Sequence, residues 1–228
     1  MNNKIILDLC GGTGSWSKYY KKNGYDVRVL TLPDYSVTDV VFSDDYMVFN
    51  KQNYNVNDMA IKYANVYGIL AAPPCTMFSI ARNDKTAKQP RDLKAGMEIV
   101  NACLKIIHNC LYNNFRVGQG LKFWALENPY SGYLKRFLGK PALVFQPYEY
   151  GDPYTKKQLY GGEFKELNKN IVPKMENVRG NFTKYNKDYE ELKKIPEGYC
   201  EKTGYDKRTV RRSMTPDGFA KAFYEANK

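Results

Sequence analysis

The sequence has very little histidine, and this shortage limits the chemistry that it can support. Its 228 residues include one histidine, His108, which falls in a segment with the apolar spacing of a helix. Hydrolases that use Ser-His-Asp or Cys-His arrangements need a histidine base beside the nucleophile. A surface or core position on that helix is the simpler interpretation of His108, so the sequence disfavours those classes of enzyme.

Long apolar runs and paired cysteines are also missing. No stretch approaches the roughly 18 apolar residues of a membrane span, and the apolar run at residues 5–7 is too short for a signal peptide. The five cysteines include no Cys-x-x-Cys pair, which favours reduced thiols over a disulfide framework. We therefore expect a cytoplasmic protein that binds no membrane and has a cysteine available as a nucleophile.

Basic residues are in excess. Lys and Arg number 35 against 24 Asp and Glu, which gives a net charge of +11, and the excess is spread along the chain. A field of this sign favours polyanions such as nucleic acid over acidic partners. Hydrophobic residues make up 43% of the chain, which is enough for a packed core. The composition predicts a globular protein with a surface suited to polyanions.

Segments with the patterns of strands and helices alternate along the first part of the chain. Strands are predicted at residues 4–8, 25–32, 66–71 and 121–126. Helices are predicted at residues 15–23, 57–65, 92–112 and 215–227, and a hairpin at 151–162. This alternation predicts a doubly wound α/β fold with a mostly parallel sheet. Ligands in such folds bind at the carboxyl ends of the strands.

Three segments whose residues could bind a ligand or take part in catalysis follow predicted strands. The first runs from Asp8 to Trp16 and is rich in glycine; it lacks the lysine of a P-loop and fits a dinucleotide fingerprint poorly. The second places Cys75 directly after two prolines, and the third is Glu127-Asn128-Pro129. A thiolate and a carboxyl group at neighbouring strand ends suit covalent catalysis on an electron-poor ring. A tight turn, a buried thiol and an Asn-Pro turn are the plain structural alternatives.

Taken in order, these segments resemble the DNA cytosine-5 methyltransferases, and the compact phage-encoded members most closely. The family pattern Asp-Leu-Phe-x-Gly-x-Gly-Gly is matched from Asp8, with Cys10 in place of Phe and Ser15 in place of the last glycine. The pattern Pro-Pro-Cys-Gln-x-Phe-Ser is matched from Pro73, with Thr76 in place of Gln. The Glu-Asn-Val pattern corresponds to Glu127-Asn128-Pro129.

The resemblance implies a Rossmann-like, class I S-adenosylmethionine-dependent methyltransferase fold. S-adenosyl-L-methionine would bind above the first strands. An acidic residue normally holds the ribose of this cofactor, and Asp34 is the substitute available here, with Asp39 assigned to the adenine neighbourhood. The full set of expected cofactor residues is Asp8, Cys10, Gly11, Gly12, Gly14, Trp16, Asp34, Asp39 and Pro73.

The resemblance also implies a mechanism. Cys75 would add to C6 of a cytosine flipped out of double-stranded DNA, and Glu127 would assist at N3. Lys156 stands where family members use an arginine-containing segment. We expect the site to lower the pKa of the Cys75 thiol. The expected DNA-binding residues are Ser79, Arg82, Lys85, Asn128, Lys157, Arg211 and Arg212.

The expected domain organisation is a catalytic domain at residues 1–164 plus 215–228, with a small target-recognition region at 165–214. So short a region would recognise a DNA sequence that is short or only loosely specified. Three alternatives stay open: an amino-methyltransferase that uses Asn128-Pro129-Tyr130, a catalytically silent homologue that binds DNA or a host factor, and an enzyme that adds another one-carbon group or acts on a free nucleotide. No metal is expected, and the sequence does not predict an oligomeric state.

Overall fold

The chain folds into an α/β structure built on two sheets. The computed structural model describes residues 4–83, 90–116, 120–174 and 193–228, and within these ranges six strands form a larger sheet and three a smaller one. In chain order the elements are β1 (Ile5–Leu9), α1 (Lys18–Lys22), β2 (Asp26–Leu30), β3 (Tyr35–Phe42), β4 (Tyr46–Lys51), β5 (Met59–Lys62), β6 (Val66–Ala71), α2 (Leu93–Arg116), β7 (Phe123–Pro129), α3 (Lys135–Leu138), β8 (Leu143–Phe145), β9 (Gln158–Glu163), α4 (Tyr199–Thr203), α5 (Lys207–Ser213) and α6 (Asp217–Asn227). Short 3₁₀ turns lie at Tyr63–Asn65, Ile80–Asn83 and Pro147–Glu149.

The larger sheet is mostly parallel and has the order β2-β1-β6-β7-β9-β8. Strands β2, β1, β6 and β7 run parallel, and β9 runs antiparallel to both β7 and β8. The chain builds outward from β1 to β2 and then returns to the other side of β1 with β6, so the strand order reverses between β1 and β6. This arrangement confirms the predicted Rossmann-like α/β fold, and the reversal marks the place where ligands bind in such sheets.

Both faces of the larger sheet are covered, as a doubly wound fold requires. All five residues of β1 are buried because its side chains point alternately into two apolar clusters. The first cluster joins one face to α2 and to the smaller sheet. The second joins the other face to Tyr20 of α1 and to the aromatic side of α6, including Phe219 and Phe223. The carboxyl ends of the strands remain as the edge at which polar groups can gather.

The predicted helix at residues 57–65 is wrong. Met59–Lys62 forms β5, which pairs antiparallel with β4, and a 3₁₀ turn follows before β6. Of the β5 side chains, only Ile61 is fully buried; it enters the first core cluster, as expected for an edge strand that packs one face. The smaller sheet, which extends the crossover from β2 to β6, was not predicted.

The predicted hairpin at residues 151–162 is also misplaced. Only its last part is a strand, β9, and the hairpin partner is β8, which lies before the predicted segment. Strand β7 extends through Pro129 because β9 pairs with it as far as Gln158. Glu127 therefore lies within paired strand, where its backbone is fixed, and not in a turn after the strand.

The closing helix begins two residues later than predicted. Pro216 occupies the N-cap of α6, so the helix runs over Asp217–Asn227. Between β9 and α6, the described residues 165–174 and 193–214 hold α4 and α5, and the rest of the expected recognition region lies outside the described ranges. No helix in the described part of the chain is both long enough and apolar enough to cross a membrane.

Candidate active site

The glycine turn after β1 is built around a buried aspartate. Asp8 is fully buried, and its carboxylate accepts a hydrogen bond of 2.5 Å from the Ser17 hydroxyl. A Cβ at Gly11 would lie 2.3 Å from the Asp8 carboxyl group, so only glycine fits where the turn crosses it. Burial raises the pKa of Asp8 to about 6. Asp8 supports the turn from below with its side chain fully buried, and its expected contact with a cofactor stays a prediction.

The turn above Asp8 has a backbone conformation that favours glycine. Gly12 and Gly14 have φ values of 57° and 70°, a region that residues with side chains rarely adopt. The turn lies at the switch point of the sheet, which keeps Gly11, Gly12 and Gly14 candidates for cofactor contacts.

Two of the expected cofactor residues belong to the core. Trp16 is 1% exposed and packs edge-on against Tyr160 and Phe223. Cys10 packs against the first core cluster, where its thiol raises the pKa of the Cys103 thiol through a hydrogen bond. The structure thus gives both side chains a packing role, and Trp16 has no exposed face left to shield a cofactor.

The acidic residues after β2 lie together. The main-chain oxygen of Asp34 accepts a hydrogen bond of 2.7 Å from the amide of Gln52, whose side chain donates to the Asp39 carboxylate at 2.7 Å. Asp34 is the more sheltered of the two, and Asp39 is exposed. The structure therefore brings Asp34 and Asp39 to the same neighbourhood, beyond the carboxyl end of β2, and their assignment to ribose and adenine stays a prediction.

Helix α4 contributes two residues that sequence reasoning missed. The Lys202 ammonium group lies 2.5 Å from an oxygen of the Asp34 carboxylate. The Tyr199 hydroxyl would lie 3.3 Å from a Cβ placed on Gly12. One short helix thus approaches both the glycine turn and the expected ribose acid. Neither residue belongs to a sequence motif, so only the tertiary contacts could have found them.

The turn that carries Cys75 is held at the carboxyl end of β6. The main-chain oxygen of Cys75 accepts hydrogen bonds from the amides of Phe78 and Ser79 at 3.0 and 2.9 Å. The buried Asn128 side chain donates to the Pro73 oxygen at 3.2 Å. Asn128 and Pro73 therefore tie the Cys75 turn to β7, so they position the thiol and are themselves covered.

Cys75, Glu127 and Lys156 form one electrostatic cluster. Burial, and then the Glu127 carboxylate, raise the pKa of the Cys75 thiol, while Lys156 and Arg212 act to lower it. Burial likewise raises the pKa of Glu127 and lowers that of Lys156. The expectation that the site lowers the thiol pKa is wrong for the protein alone, because the loss of hydration outweighs the two nearby cations.

Gln158 and Lys193 complete this cluster, and neither was predicted. The Gln158 side-chain amide donates to Glu127 at 2.6 Å from a fully buried position on β9. Lys193 is 3% exposed, and its ammonium group donates to the main-chain oxygens of Arg211 and Met214 at 3.1 and 2.8 Å. Its charge acts to lower the pKa of Glu127. A lysine followed by a second lysine, Lys194, in a polar segment carries no sequence signal for burial.

The end of α5 binds the cations of the cluster. The Lys156 ammonium group donates to the main-chain oxygen of Arg212 at 2.7 Å, one residue from the oxygen that Lys193 binds. Carbonyl groups at a helix carboxyl end carry partial negative charge and attract cations. The segment before α6 is therefore joined to the cluster by the hydrogen bonds of Lys156 and Lys193.

The expected DNA-binding residues are placed less completely. Lys157 and Arg212 are exposed beside the cluster, and Ser79 and Arg211 are partly buried. The side chain of Arg82 and the whole of Lys85 lie outside the described part of the structure. Four expected residues thus flank the site, and two are not placed.

The chemistry available at this edge is that of a thiol beside an acid. Cys75 is partly accessible, so its sulfur can reach an electrophilic carbon. Glu127, whose pKa is raised, can act as a proton donor to a ring nitrogen. Lys156 supplies positive charge where negative charge would develop.

Comparisons with known proteins add little to this geometry. No protein-family model matches the chain, and no curated protein sequence matches it. Among solved structures, a methyltransferase of Entamoeba histolytica is similar with 11% sequence identity and a TM-score of 0.38. The similarity covers 84% of this chain, which spans 65% of that protein, somewhat less than two thirds of its length. So distant a similarity is no guide to function.

Proposed function

We propose that the chain is a DNA cytosine-5 methyltransferase that uses S-adenosyl-L-methionine and attacks the base through Cys75. The observation that carries the proposal is the cluster of Cys75, Glu127 and Lys156 at the adjacent ends of β6, β7 and β9. Cytosine C5 is a weak nucleophile, so a thiolate must first add to C6. A partly buried thiol, acid and cation that influence one another suit this step.

The cofactor would supply a methyl group on a sulfonium centre. The glycine turn suits such a ligand because it follows β1 at the switch point of the sheet and Gly12 and Gly14 have no side chains, and Asp34 offers carboxylate oxygens for ribose hydroxyls. Lys202 already binds Asp34, so a ribose would share or displace that contact. Asp39 and the Pro73 main chain complete the expected cofactor side of the cleft.

The residues of the chain would act in sequence on a flipped cytosine. Cys75 Sγ would lose its proton to a water molecule and form a bond to C6, while Glu127 would donate a proton to N3. The electron pair released at C5 would take up the methyl group as the bond from that methyl to the sulfonium sulfur breaks and leaves a neutral thioether. A base or a water molecule then removes the C5 proton, the bond from Cys75 to C6 breaks, and Glu127 recovers its proton from N3. Lys156 stabilises the thiolate before the attack.

A thiol of raised pKa needs help to ionise. Burial and Glu127 both disfavour the thiolate in the protein alone. When a base is bound, a hydrogen bond from protonated Glu127 to N3 keeps Glu127 neutral, so no carboxylate opposes the thiolate, and the charges of Lys156 and Arg212 stabilise it. The arrangement thus links activation of the nucleophile to the presence of the base.

The amino-methyltransferase alternative has less support. It would need Asn128 to hold an exocyclic amine, but the Asn128 side chain is fully buried and its amide donates to Pro73. The proposal for residues 165–214 is that they contact the DNA target. Their described end, α5, is joined to the cluster by Lys156 and Lys193.

The test is nucleoside mass spectrometry of DNA from bacteria that express the protein. We expect 5-methylcytosine above the host background with the wild type and none above it with Cys75→Ser. Cys200→Ser removes a cysteine from α4 and serves as the matched control, which should keep the product. Equal 5-methylcytosine in wild type and Cys75→Ser would refute the proposal, as would N4-methylcytosine or N6-methyladenine as the product.

A further inference from the structure

A surface next to the candidate active site combines tyrosine rings with cations. It consists of Tyr130, Tyr133, Arg91, Lys135, Arg136 and Lys157, and we call it the tyrosine–cation surface. Its tyrosines follow β7 directly, so it begins three residues after Glu127. Exposed apolar side chains lie around it: Phe137 is 50% exposed and Ile80 is 49% exposed.

Each tyrosine ring of this surface gathers two cations. The ammonium groups of Lys135 and Lys157 lie 3.8 and 4.2 Å from the centre of the Tyr130 ring. The guanidinium carbons of Arg91 and Arg136 lie 4.7 and 4.9 Å from the centre of the Tyr133 ring. Rings attract cations by their quadrupole, so each ring holds two like charges close together. The surface therefore concentrates positive charge that the rings only partly offset.

The segment that carries most of this surface has no acidic side chains of its own that could neutralise the charge. From Pro129 to Tyr148 the sequence has no Asp or Glu, while it carries Lys135, Arg136 and Lys140. The next acidic residue, Glu149, is bound by Lys169 at 2.7 Å. A fixed group of like charges beside exposed apolar side chains is costly unless it has an anionic partner.

The surface is fastened to the turn that carries Cys75. The Tyr133 amide donates to the Phe78 oxygen at 2.9 Å, and the Asn83 side chain donates to the Tyr133 hydroxyl at 3.0 Å. Arg91 donates to the Ser79 oxygen at 3.0 Å. A ligand bound on this surface would therefore be held at a fixed position relative to the thiol.

We infer that the tyrosine–cation surface binds the phosphate backbone of duplex DNA beside the base that Cys75 attacks. The inference rests on the proposed function, which makes DNA the substrate. Lysine and arginine groups contact phosphates without regard to sequence and set the register of the duplex. The exposed rings and Phe137 can pack against sugars or against the bases left next to the flipped nucleotide.

The test compares two charge-matched double variants by fluorescence anisotropy with a labelled duplex at several salt concentrations. Lys135→Gln with Arg136→Gln removes two charges from the surface, and Lys21→Gln with Lys22→Gln removes two from α1, which packs on the opposite side against α6. If both phosphate contacts are lost, the first variant should lower the salt slope by about 2 and the affinity by on the order of tenfold or more at 0.1 M salt. The control should change both much less, and Lys135→Arg with Arg136→Lys should restore binding.

Equal losses in the two double variants would overturn the inference, because net charge alone would then explain binding. Unchanged binding in the surface variant, despite a fold shown intact by unfolding in urea, would overturn it too. So would tighter binding of an RNA duplex that depends on Lys135 and Arg136. If duplex binding depends on these residues and no 5-methylcytosine forms, the surface stands and the proposed function fails. If methylation occurs and the surface variant binds the duplex normally, the proposed function stands and the inference about the surface fails.

Discussion

The two halves of the larger sheet's carboxyl edge treat their charged groups differently. In the half after β1 and β2, each acidic group has a local partner: Asp8 is covered by the glycine turn and bound by Ser17, and Asp34 is bound by Lys202. In the half after β6 and β7, Cys75 and Glu127 are both shifted toward their neutral forms by burial, beside Lys156. The charged groups of the first half stabilise the local structure, whereas those of the second half are suited to proton transfer.

This contrast shows that motif residues at equivalent strand ends need not have equivalent roles. Asp8 and Glu127 both lie within a strand near its carboxyl end, and burial raises the pKa of both. Asp8 is sealed beneath the backbone, whereas Glu127 is only partly buried and lies beside a partly accessible thiol. Accessibility therefore separates a carboxyl group that supports a turn from one that can react.

The largest expected effect is on the reacting half. Glu127→Gln should lower kcat/KM by about 10²- to 10⁴-fold, because the proton donor at N3 is lost. The proposed mechanism needs Cys75 ionised and Glu127 protonated, so the wild-type kcat/KM should rise and then fall with pH. In the variant only the thiol requirement remains, so the fall at high pH should disappear. The rise should instead continue up to the pKa of the Cys75 thiol, which burial raises above its usual value.

The measurement is the pH profile of methyl transfer to a cytosine-containing duplex. Glu163→Gln changes an exposed acid on β9 and is the matched control, which should keep the wild-type profile. A variant profile that still falls at high pH would show that the protonated group is not Glu127.

The next effect concerns the stability of the first half. The folded Asp8 carboxyl keeps its proton up to about pH 6, whereas the unfolded one loses it near 3.8, so the unfolded state binds fewer protons between these values. Raising the pH through this window therefore destabilises the fold, by about 3 kcal/mol in all. Asp8→Asn should remove this loss. The difference in free energy of unfolding between the variant and the wild type should therefore shift in favour of the variant by about 3 kcal/mol from pH 3.5 to pH 8.

Urea unfolding of both proteins at several pH values provides the check. Asp44→Asn, at an exposed position, is the control and should follow the wild type. A constant difference between Asp8→Asn and the wild type across the window would contradict a buried, protonated Asp8.

The smallest expected effect concerns the contact from α4. Lys202→Gln should tighten binding of S-adenosylhomocysteine by about 1.5- to 5-fold, because Lys202 competes for the Asp34 carboxylate in a largely exposed ion pair. Isothermal titration calorimetry measures the change, with Lys207→Gln as an exposed control on α5. Weaker binding in Lys202→Gln would instead make Lys202 part of the cofactor site.

The sequence predicts the parts of the fold that depend on continuous apolar runs. Strand β6 falls at Val66–Ala71 as predicted, because both of its faces are buried and its run of apolar residues ends at two prolines. The helix predicted at 92–112 is present as α2, extended to Arg116. The smaller sheet was missed since its strands bury only some residues, and their pairing partners lie across turns that carry no strong signal.

The candidate site was predictable where one residue type in one motif decides the chemistry. Cys75 and Glu127 belong to such motifs, and the structure brings them together. Gln158, Lys193 and Lys202 could not be found this way, because their roles come from contacts with residues 18 to 168 positions away. The raised thiol pKa was likewise missed, since burial can be read only from the folded chain.

The most direct test of the account is to trap the bond between Cys75 and its base. A duplex that carries 5-fluorocytosine can accept the thiolate at C6 and the methyl group at C5, but the fluorine cannot leave as a proton does. Incubation with S-adenosyl-L-methionine should therefore give a denaturation-resistant complex, which peptide mass spectrometry assigns to Cys75. Cys75→Ser should give none and Cys200→Ser should give the wild-type amount. A complex attached at another residue, or none from a folded protein that binds both duplex and cofactor, would contradict the account.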